Sequence, residues 1–253
     1  TWERVAALRG HSTWVLALAV DDEFLYSGSG DRTAIVWRRG TWERMATLKG
    51  HSDYVRALAV DDEFVYSGSD DRTVVVWQRG TWERVATLKG HSDWVQALAV
   101  DDEYLYSGTE DNEVVVWRRG SWERVATLKG HRGTVHALAA DDECLYSGAG
   151  DSTVVVWRKG SWEKVATLEG HSSEVFALAM DDEFLYTGSG DNTVGVWLRG
   201  SWERVATLEG HSGWVYALAV DGEFLYSGSG DETVIVWSND MSELLADLSQ
   251  FQN

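Results

Sequence analysis

The chain has 253 residues, of which 44% are hydrophobic, and carries a formal net charge of −19 at pH 7. That charge works against nucleic acid, whose binding rests on neutralising phosphates with Lys and Arg, and against anionic membrane surfaces; it is compatible with a basic partner, with plain solubility, or with a halophilic source. No apolar run approaches the roughly 18 residues needed to cross a bilayer, nothing before the first repeat reads as a signal peptide, and the single Cys144 cannot form an internal disulfide. The expectation is a cytoplasmic protein without cofactor or metal.

A 40-residue unit recurs six times, starting at Thr1, Thr41, Thr81, Ser121, Ser161 and Ser201, and leaves a tail of 13 residues. A strict period of this length means a repeat architecture and is read before any local propensity. The chain opens inside a unit, as it would had an upstream segment been removed.

Within a unit four runs read as strands. In the first copy they are WERVAAL, WVLALAV, FLYSGS and TAIVW. Each is short, rich in Val, Tyr, Trp and Thr, and bounded by Gly or Asp. Proline is absent, so Gly and Asp carry the turns. Connections this short only allow an antiparallel meander. One such sheet cannot bury both apolar faces, but six packed face to face can, which predicts an all-β, six-bladed β-propeller of four-stranded antiparallel blades. A β-solenoid is the rival, disfavoured by the hairpin-like turns. If each blade runs from ALAV to the following WERVATL, the last blade lacks its outer strand. Trp2–Leu8 is left over to supply it and close the ring.

Each unit also carries Gly-His (Gly10-His11, Gly50-His51, Gly90-His91, Gly130-His131, Gly170-His171, Gly210-His211), then Ser-Gly or Thr-Gly with an Asp after it, then Val-Trp. In these motifs the chain resembles the WD40 repeat family over residues 1–240. It departs from the family in the residue after Trp, where Arg38, Gln78, Arg118, Arg158, Leu198 and Ser238 replace Asp, and six blades are fewer than the family's common seven.

Ser27, His11 and Asp31 invite comparison with a catalytic triad, but the set is repeated in every copy. The resemblance implies instead a buried structural network, completed by the strand Trp. Its members are His11, Ser27, Asp31 and Trp37; His51, Ser67, Asp71 and Trp77; His91, Ser107, Asp111 and Trp117; His131, Ser147, Asp151 and Trp157; His171, Thr187, Asp191 and Trp197; and His211, Ser227, Asp231 and Trp237. The donor and acceptor inventory suits that reading.

Alternate connections of a meander share a face. The Gly-His connections and Asp turns form a top; the DDE and Arg-Gly turns form a bottom bearing 17 DDE carboxylates and a basic residue nearby, such as Arg39 or Lys159. The bottom reads as a solvated, partly paired ring. The top differs between copies at three positions: Trp14, Tyr54, Trp94, Thr134, Glu174, Trp214; Leu16, Arg56, Gln96, His136, Phe176, Tyr216; and Gly30, Asp70, Glu110, Gly150, Gly190, Gly230. The resemblance implies that these positions border the top opening and contact partners. The candidate partner site is therefore Trp14, Leu16, Tyr54, Arg56, Asp70, Trp94, Gln96, Glu110, His136, Glu174, Phe176, Trp214 and Tyr216.

After Trp237 the pattern breaks. Asp240 and Glu243 resemble a capping box, and Met241, Leu244, Leu245, Leu248 and Phe251 fall at helical spacing. These predict a short amphipathic helix over 241–253, distinct from the propeller of 1–240 and a candidate oligomer contact, although a monomer is favoured. The function read from the sequence is a non-enzymatic protein-binding scaffold, with a protein or peptide partner of basic character. The alternatives are an engineered or recently amplified propeller with no evolved partner, and small-ligand or sugar binding at the aromatic rim.

Overall fold

Alternation along the repeat sets the sheets. In VRALAV the residues Val55, Ala57 and Ala59 are buried while Arg56, Leu58 and Val60 are half-buried, so the strand presents both sides to neighbours. In VVVW all of Val74, Val75, Val76 and Trp77 are buried, the mark of a strand covered on both faces. The computed structural model describes residues 3–238; the predicted helix at 241–253 lies outside them.

The chain divides into two compact units, Thr1–Glu169 and Gly170–Asn253. The first holds four antiparallel sheets. They are β1 (Val15–Val20), β2 (Phe24–Ser29), β3 (Thr33–Arg38) and β4 (Arg44–Lys49); β5 (Val55–Val60), β6 (Phe64–Ser69), β7 (Val74–Gln78) and β8 (Arg84–Leu88); β9 (Val95–Val100), β10 (Tyr104–Thr109), β11 (Glu113–Arg118) and β12 (Arg124–Lys129); and β13 (Val135–Ala140), β14 (Cys144–Ala149), β15 (Val154–Arg158) and β16 (Lys164–Leu168). The second unit holds β17 (Val175–Met180), β18 (Phe184–Ser189), β19 (Val194–Leu198) and β20 (Arg204–Leu208), then a three-stranded sheet of β21 (Val215–Val220), β22 (Phe224–Ser229) and β23 (Val234–Ser238). Each sheet follows chain order, so the meander and its phase are as the repeat predicts.

The expected closing strand is not formed. Residues 3–10 carry no strand, Val5 is 80% exposed, and the last sheet has three strands. Every other fourth strand follows its partner directly through a tight turn, as β4 follows β3 through Gly40.

Within each unit consecutive sheets pack face to face as propeller blades do. One blade's trailing face, such as Phe24, Tyr26, Ala34, Val36 and Leu48, meets the next blade's leading face, Val65, Val75 and Trp77 with Leu58 and Val60. The same set recurs between the second and third, the third and fourth, and the fifth and sixth blades. At the centre of each joint a valine faces a glycine. A Cβ on Gly28 would lie 2.8 Å from Val55 Cγ1, on Gly68 2.6 Å from Val95, on Gly108 2.6 Å from Val135, and on Gly188 2.9 Å from Val215. The glycine here is a socket, chosen for close approach.

The bottom turns fasten the joint further. Asp21 Oδ1 accepts the N–H groups of Glu23 and Phe24 at 2.8 and 2.7 Å, Oδ2 accepts the Tyr26 hydroxyl at 2.7 Å, and Arg79 from the next blade lies 2.9 Å from Oδ2. Arg119 holds Asp61 at 2.8 Å and Lys159 holds Asp101 at 2.7 Å in the same way. Beside each cation a tryptophan in left-handed backbone (Trp82, φ 61°) sets its indole edge-on to the earlier blade's Phe24, with centroids 5.1 Å apart. The first DDE aspartate is thus a blade-to-blade clasp with 16% of its side chain exposed, not a member of a solvated ring. Burial, then the hydrogen bond to Asp21, raises the Tyr26 pKa well above the ordinary phenol value.

The socket makes a local test. Gly68→Ala must displace Val95 and is expected to lower stability by about 1–3 kcal/mol. Gly228→Ala, where the nearest atom is Ala217 Cβ at 3.6 Å, is expected to change it by less than about 0.5 kcal/mol. Urea titrations of the two variants check the difference.

Candidate functional site

The repeated polar set assembles as a relay inside each blade. In the first, Trp37 Nε1–H donates to Ser27 Oγ at 2.9 Å, Ser27 Oγ meets His11 Nε2 at 2.8 Å, and His11 Nδ1 meets Asp31 Oδ2 at 2.9 Å. Asp31 Oδ1 accepts both the N–H and the hydroxyl of Thr33, at 3.1 and 2.7 Å, and Oδ2 also accepts the Ser12 N–H at 3.0 Å. An ionised carboxylate only accepts, so the hydrogen sits on Nδ1 and the serine hydroxyl donates to Nε2. Burial alone would raise the Asp31 pKa, but the bonds from Thr33, Ser12 and His11 outweigh it and hold it at about 2. Asp191 is likewise held at about 2 by Thr193, His171 and Ser172 against burial.

The relay is intact at His11, His51, His131, His171 and His211, with Nδ1 to carboxylate distances of 2.8–3.0 Å. Ser27 is 4% exposed and Ser67, Ser107, Ser147, Thr187 and Ser227 are fully buried. These hydroxyls are structural joints with no open side for a substrate.

The third copy differs. Glu113 stands where Thr33, Thr73, Thr153, Thr193 and Thr233 stand elsewhere, so the hydroxyl that fixes the carboxylate is gone. Asp111 instead accepts from the hydroxyls of Ser92 and Thr109, and Glu113 pairs with Lys129 at 2.5 Å. His91 keeps Ser107 at 3.1 Å, but its Nδ1 is buried without a hydrogen-bond partner. Burial, only partly offset by the charge of Asp111, pushes the His91 pKa down to about 4.

The top positions are brought together copy by copy. The N–H of Gly30, Asp70, Glu110, Gly150, Gly190 and Gly230 donates to the carbonyl of Trp14, Tyr54, Trp94, Thr134, Glu174 and Trp214 respectively, at 2.8–3.0 Å. The second position, that of Leu16, proves to be a β-bulge. Pairing runs from Val15↔Ser29 straight to Ala17↔Gly28, leaving Leu16 as the extra residue, and the same shift isolates Arg56, Gln96, His136, Phe176 and Tyr216. A bulge re-aims a side chain without disturbing the ladder beyond it. No hydropathy pattern marks it, because the strand alternates normally on both sides.

Two clusters result. In the first unit Arg56 lies 5.8 Å from the Tyr54 ring centroid and 5.2 Å from that of Trp94, within cation–π range, while its Nε donates to Asp70 Oδ1 at 2.5 Å. Asp70 is only 6% exposed, so its charge is spent inside the cluster. Glu110 is half-buried, and its Oε2 is buried without a hydrogen-bond partner. In the second unit Phe176 stacks on Trp214 at 5.5 Å and meets Tyr216 at 5.1 Å. Trp14 is 75% exposed and Tyr54 and Trp94 37% each. Leu16, Gln96, His136 and Glu174 are half-buried. Among the described residues no group of three or more His, Cys, Asp or Glu is placed to hold a metal.

Repeated antiparallel blades with a buried polar relay define the chain as a propeller-type repeat protein. The profile of the WD domain, G-beta repeat, matches residues 2–38, 42–78, 82–118, 122–158, 162–197 and 202–238, and the chain belongs to this WD40 family. No curated protein sequence matches it. Among solved structures it is similar to the computationally designed Ika8 protein, with a TM-score of 0.84 and 34% identity over 92% of this chain and 74% of that one. It is also similar to U3-55K (0.84, 25% identity, 93% and 80% covered) and to the RRP9 WD40 repeats (0.84, 25% identity, 93% and 79% covered).

The third relay carries a pH signature. Between pH 6.5 and about 4 the unfolded chain binds a proton at His91 that the folded chain refuses, so its contribution to stability falls as the pH drops through that window. From pH 6.5 to 5 this amounts to about 2 kcal/mol. The double substitution Glu113→Thr with Thr109→Ser returns the carboxylate to Nδ1, and the stability lost between pH 7 and 5, read from urea midpoints, is expected to shrink.

Proposed function

We propose that the protein is a non-enzymatic binding scaffold that takes a peptide segment of a protein partner on its top face, and that the partner is basic. The observation that carries this reading is the coincidence of variation with the bulge: the residues that differ most between otherwise matching copies are those a bulge aims out of the sheet. Exposed Trp and Tyr beside an Arg are the side chains that anchor protein interfaces. The basic preference rests on Glu110, whose buried Oε2 would gain a donor from a partner's cation; Asp70 contributes less, being neutralised by Arg56. A cytoplasmic setting goes with this proposal.

A second reading is supported by the likeness to a designed protein. Copies this alike fit an engineered or newly amplified propeller, with no evolved partner and the rim aromatics serving no recognition role.

Selection of a displayed random-peptide library on the parent chain separates the two. The first reading expects enriched peptides rich in Lys or Arg whose affinity falls roughly tenfold or more, about 1.4 kcal/mol, on Trp94→Ala and on Glu110→Gln, each with an unchanged melting temperature. Peptides that bind parent and variants alike, or no enrichment at all, would contradict it.

A further inference from the structure

Asp70 and Glu110 occupy equivalent places on the second and third blades, just before the turn aspartate. The backbone around them is the same. Asp70 N–H donates to the Tyr54 carbonyl and Glu110 N–H to the Trp94 carbonyl, each at 3.0 Å. The side chains around them differ. Asp70 is satisfied by Arg56 of its own blade, whose guanidinium is within cation–π range of two rings, Tyr54 of that blade and Trp94 of the next. One blade further on, Trp94 stands where Tyr54 stood and Glu110 where Asp70 stood, but neutral Gln96 replaces Arg56 and Thr134 replaces the second ring.

The residue before the turn aspartate adjoins the next blade. A Cβ on Gly30 would lie 3.6 Å from Tyr54 Cδ1. By the same repeat, Glu110 adjoins Thr134. The third blade therefore holds the carboxylate of this arrangement without its cation. Glu110 Oε2 is buried with no hydrogen-bond partner, a costly state for an acceptor that carries charge. Where Trp94 covers Arg56, the far smaller Thr134 leaves the approach to Glu110 open. Trp94 itself remains 37% exposed with Arg56 beside it, and an indole has a second face to offer.

We propose that this notch, at the top of the third and fourth blades, seats the guanidinium of an arginine from the partner peptide, which completes Glu110 as Arg56 completes Asp70. The seat lies within the top-face site proposed above and rests on that reading; it adds which side chain is recognised and where. Arginine, not lysine, follows from the chain's own precedent. A planar guanidinium donates its N–H groups in plane to a carboxylate while its face lies on an aromatic ring. An ammonium is a compact charge that holds its water more strongly and has no such face. The cation has to come from outside, because Gln96 supplies none and Arg56 is committed to Asp70 at 2.5 Å.

Titration of the whole chain with Nα-acetyl-arginine amide and with Nα-acetyl-lysine amide, followed by the indole N–H resonance of Trp94, tests it. The arginine probe is expected to shift that resonance to saturation at a concentration roughly tenfold or more below the lysine probe, and Glu110→Gln to abolish the preference. Gln96→Arg gives the third blade the cation that the second already has. It is expected to weaken the arginine probe roughly tenfold or more while melting at or above the temperature of the parent, a gain that mere blockage of the notch would not bring. Equal affinity for the two probes, both lost in Glu110→Gln, would overturn the guanidinium assignment and leave the basic top-face reading standing. A folded Gln96→Arg chain that binds the arginine probe like the parent, or a Trp94 resonance that neither probe moves, would overturn the proposal too. Failure of the broader reading shows separately, as library peptides indifferent to Trp94 and Glu110, and removes this proposal with it.

Discussion

The structure depends on one polar relay, Trp N–H to Ser hydroxyl to His to Asp, repeated inside the blades. It joins two strands and two connections: Trp37 on β3, Ser27 on β2, His11 in the segment before β1, and Asp31 in the turn between β2 and β3. A relay with every donor and acceptor used is rigid, and one left half-satisfied in a low-dielectric interior is costly. The third copy shows how narrow the tolerance is. There Glu113 replaces the Thr and Thr109 the Ser or Ala of the other copies, the carboxylate is held by Ser92 and Thr109, and a ring nitrogen is stranded.

Around that fixed interior two further devices divide the work. The valine-in-glycine joint sets the spacing of neighbouring blades within each unit, beside the top positions, and in the first unit an aspartate–cation clasp fastens the bottom. Anchored in this way, the bulge residue can change from Leu16 to Arg56 to Phe176 without altering the ladder that follows. Uniform framework and variable positions are thereby separated along each inner strand, residue by residue.

Much of this was legible in the sequence. Period and strand order follow from spacing, and the relay residues from the resemblance to the WD40 family, which their donor–acceptor chemistry fits. What escaped is geometry that leaves no periodic trace. The bulge at Leu16 and its equivalents looks like ordinary alternation. The role of Asp21 was hidden because a DDE turn reads as solvated, whereas its partner Arg79 arrives from 58 positions further along the chain. Trp42 looked like the first residue of a strand, yet the strand begins at Arg44 and the tryptophan occupies a left-handed turn. The capping of the last blade by Trp2–Leu8 follows from strand arithmetic and is not detected among the described residues. The exchange at position 113 was visible, and a comparison of the Thr two residues after each turn Asp would have found the weakened relay.

The most direct test of the relay is the tautomer of its histidines, read by long-range nitrogen–proton correlation of the imidazole rings at neutral pH. The account predicts that His11, His51, His131, His171 and His211 carry their hydrogen on Nδ1, with Nε2 bare and accepting. Five rings protonated on Nε2 would contradict it, and the relay would then be a set of neighbours and not the interaction that holds each blade.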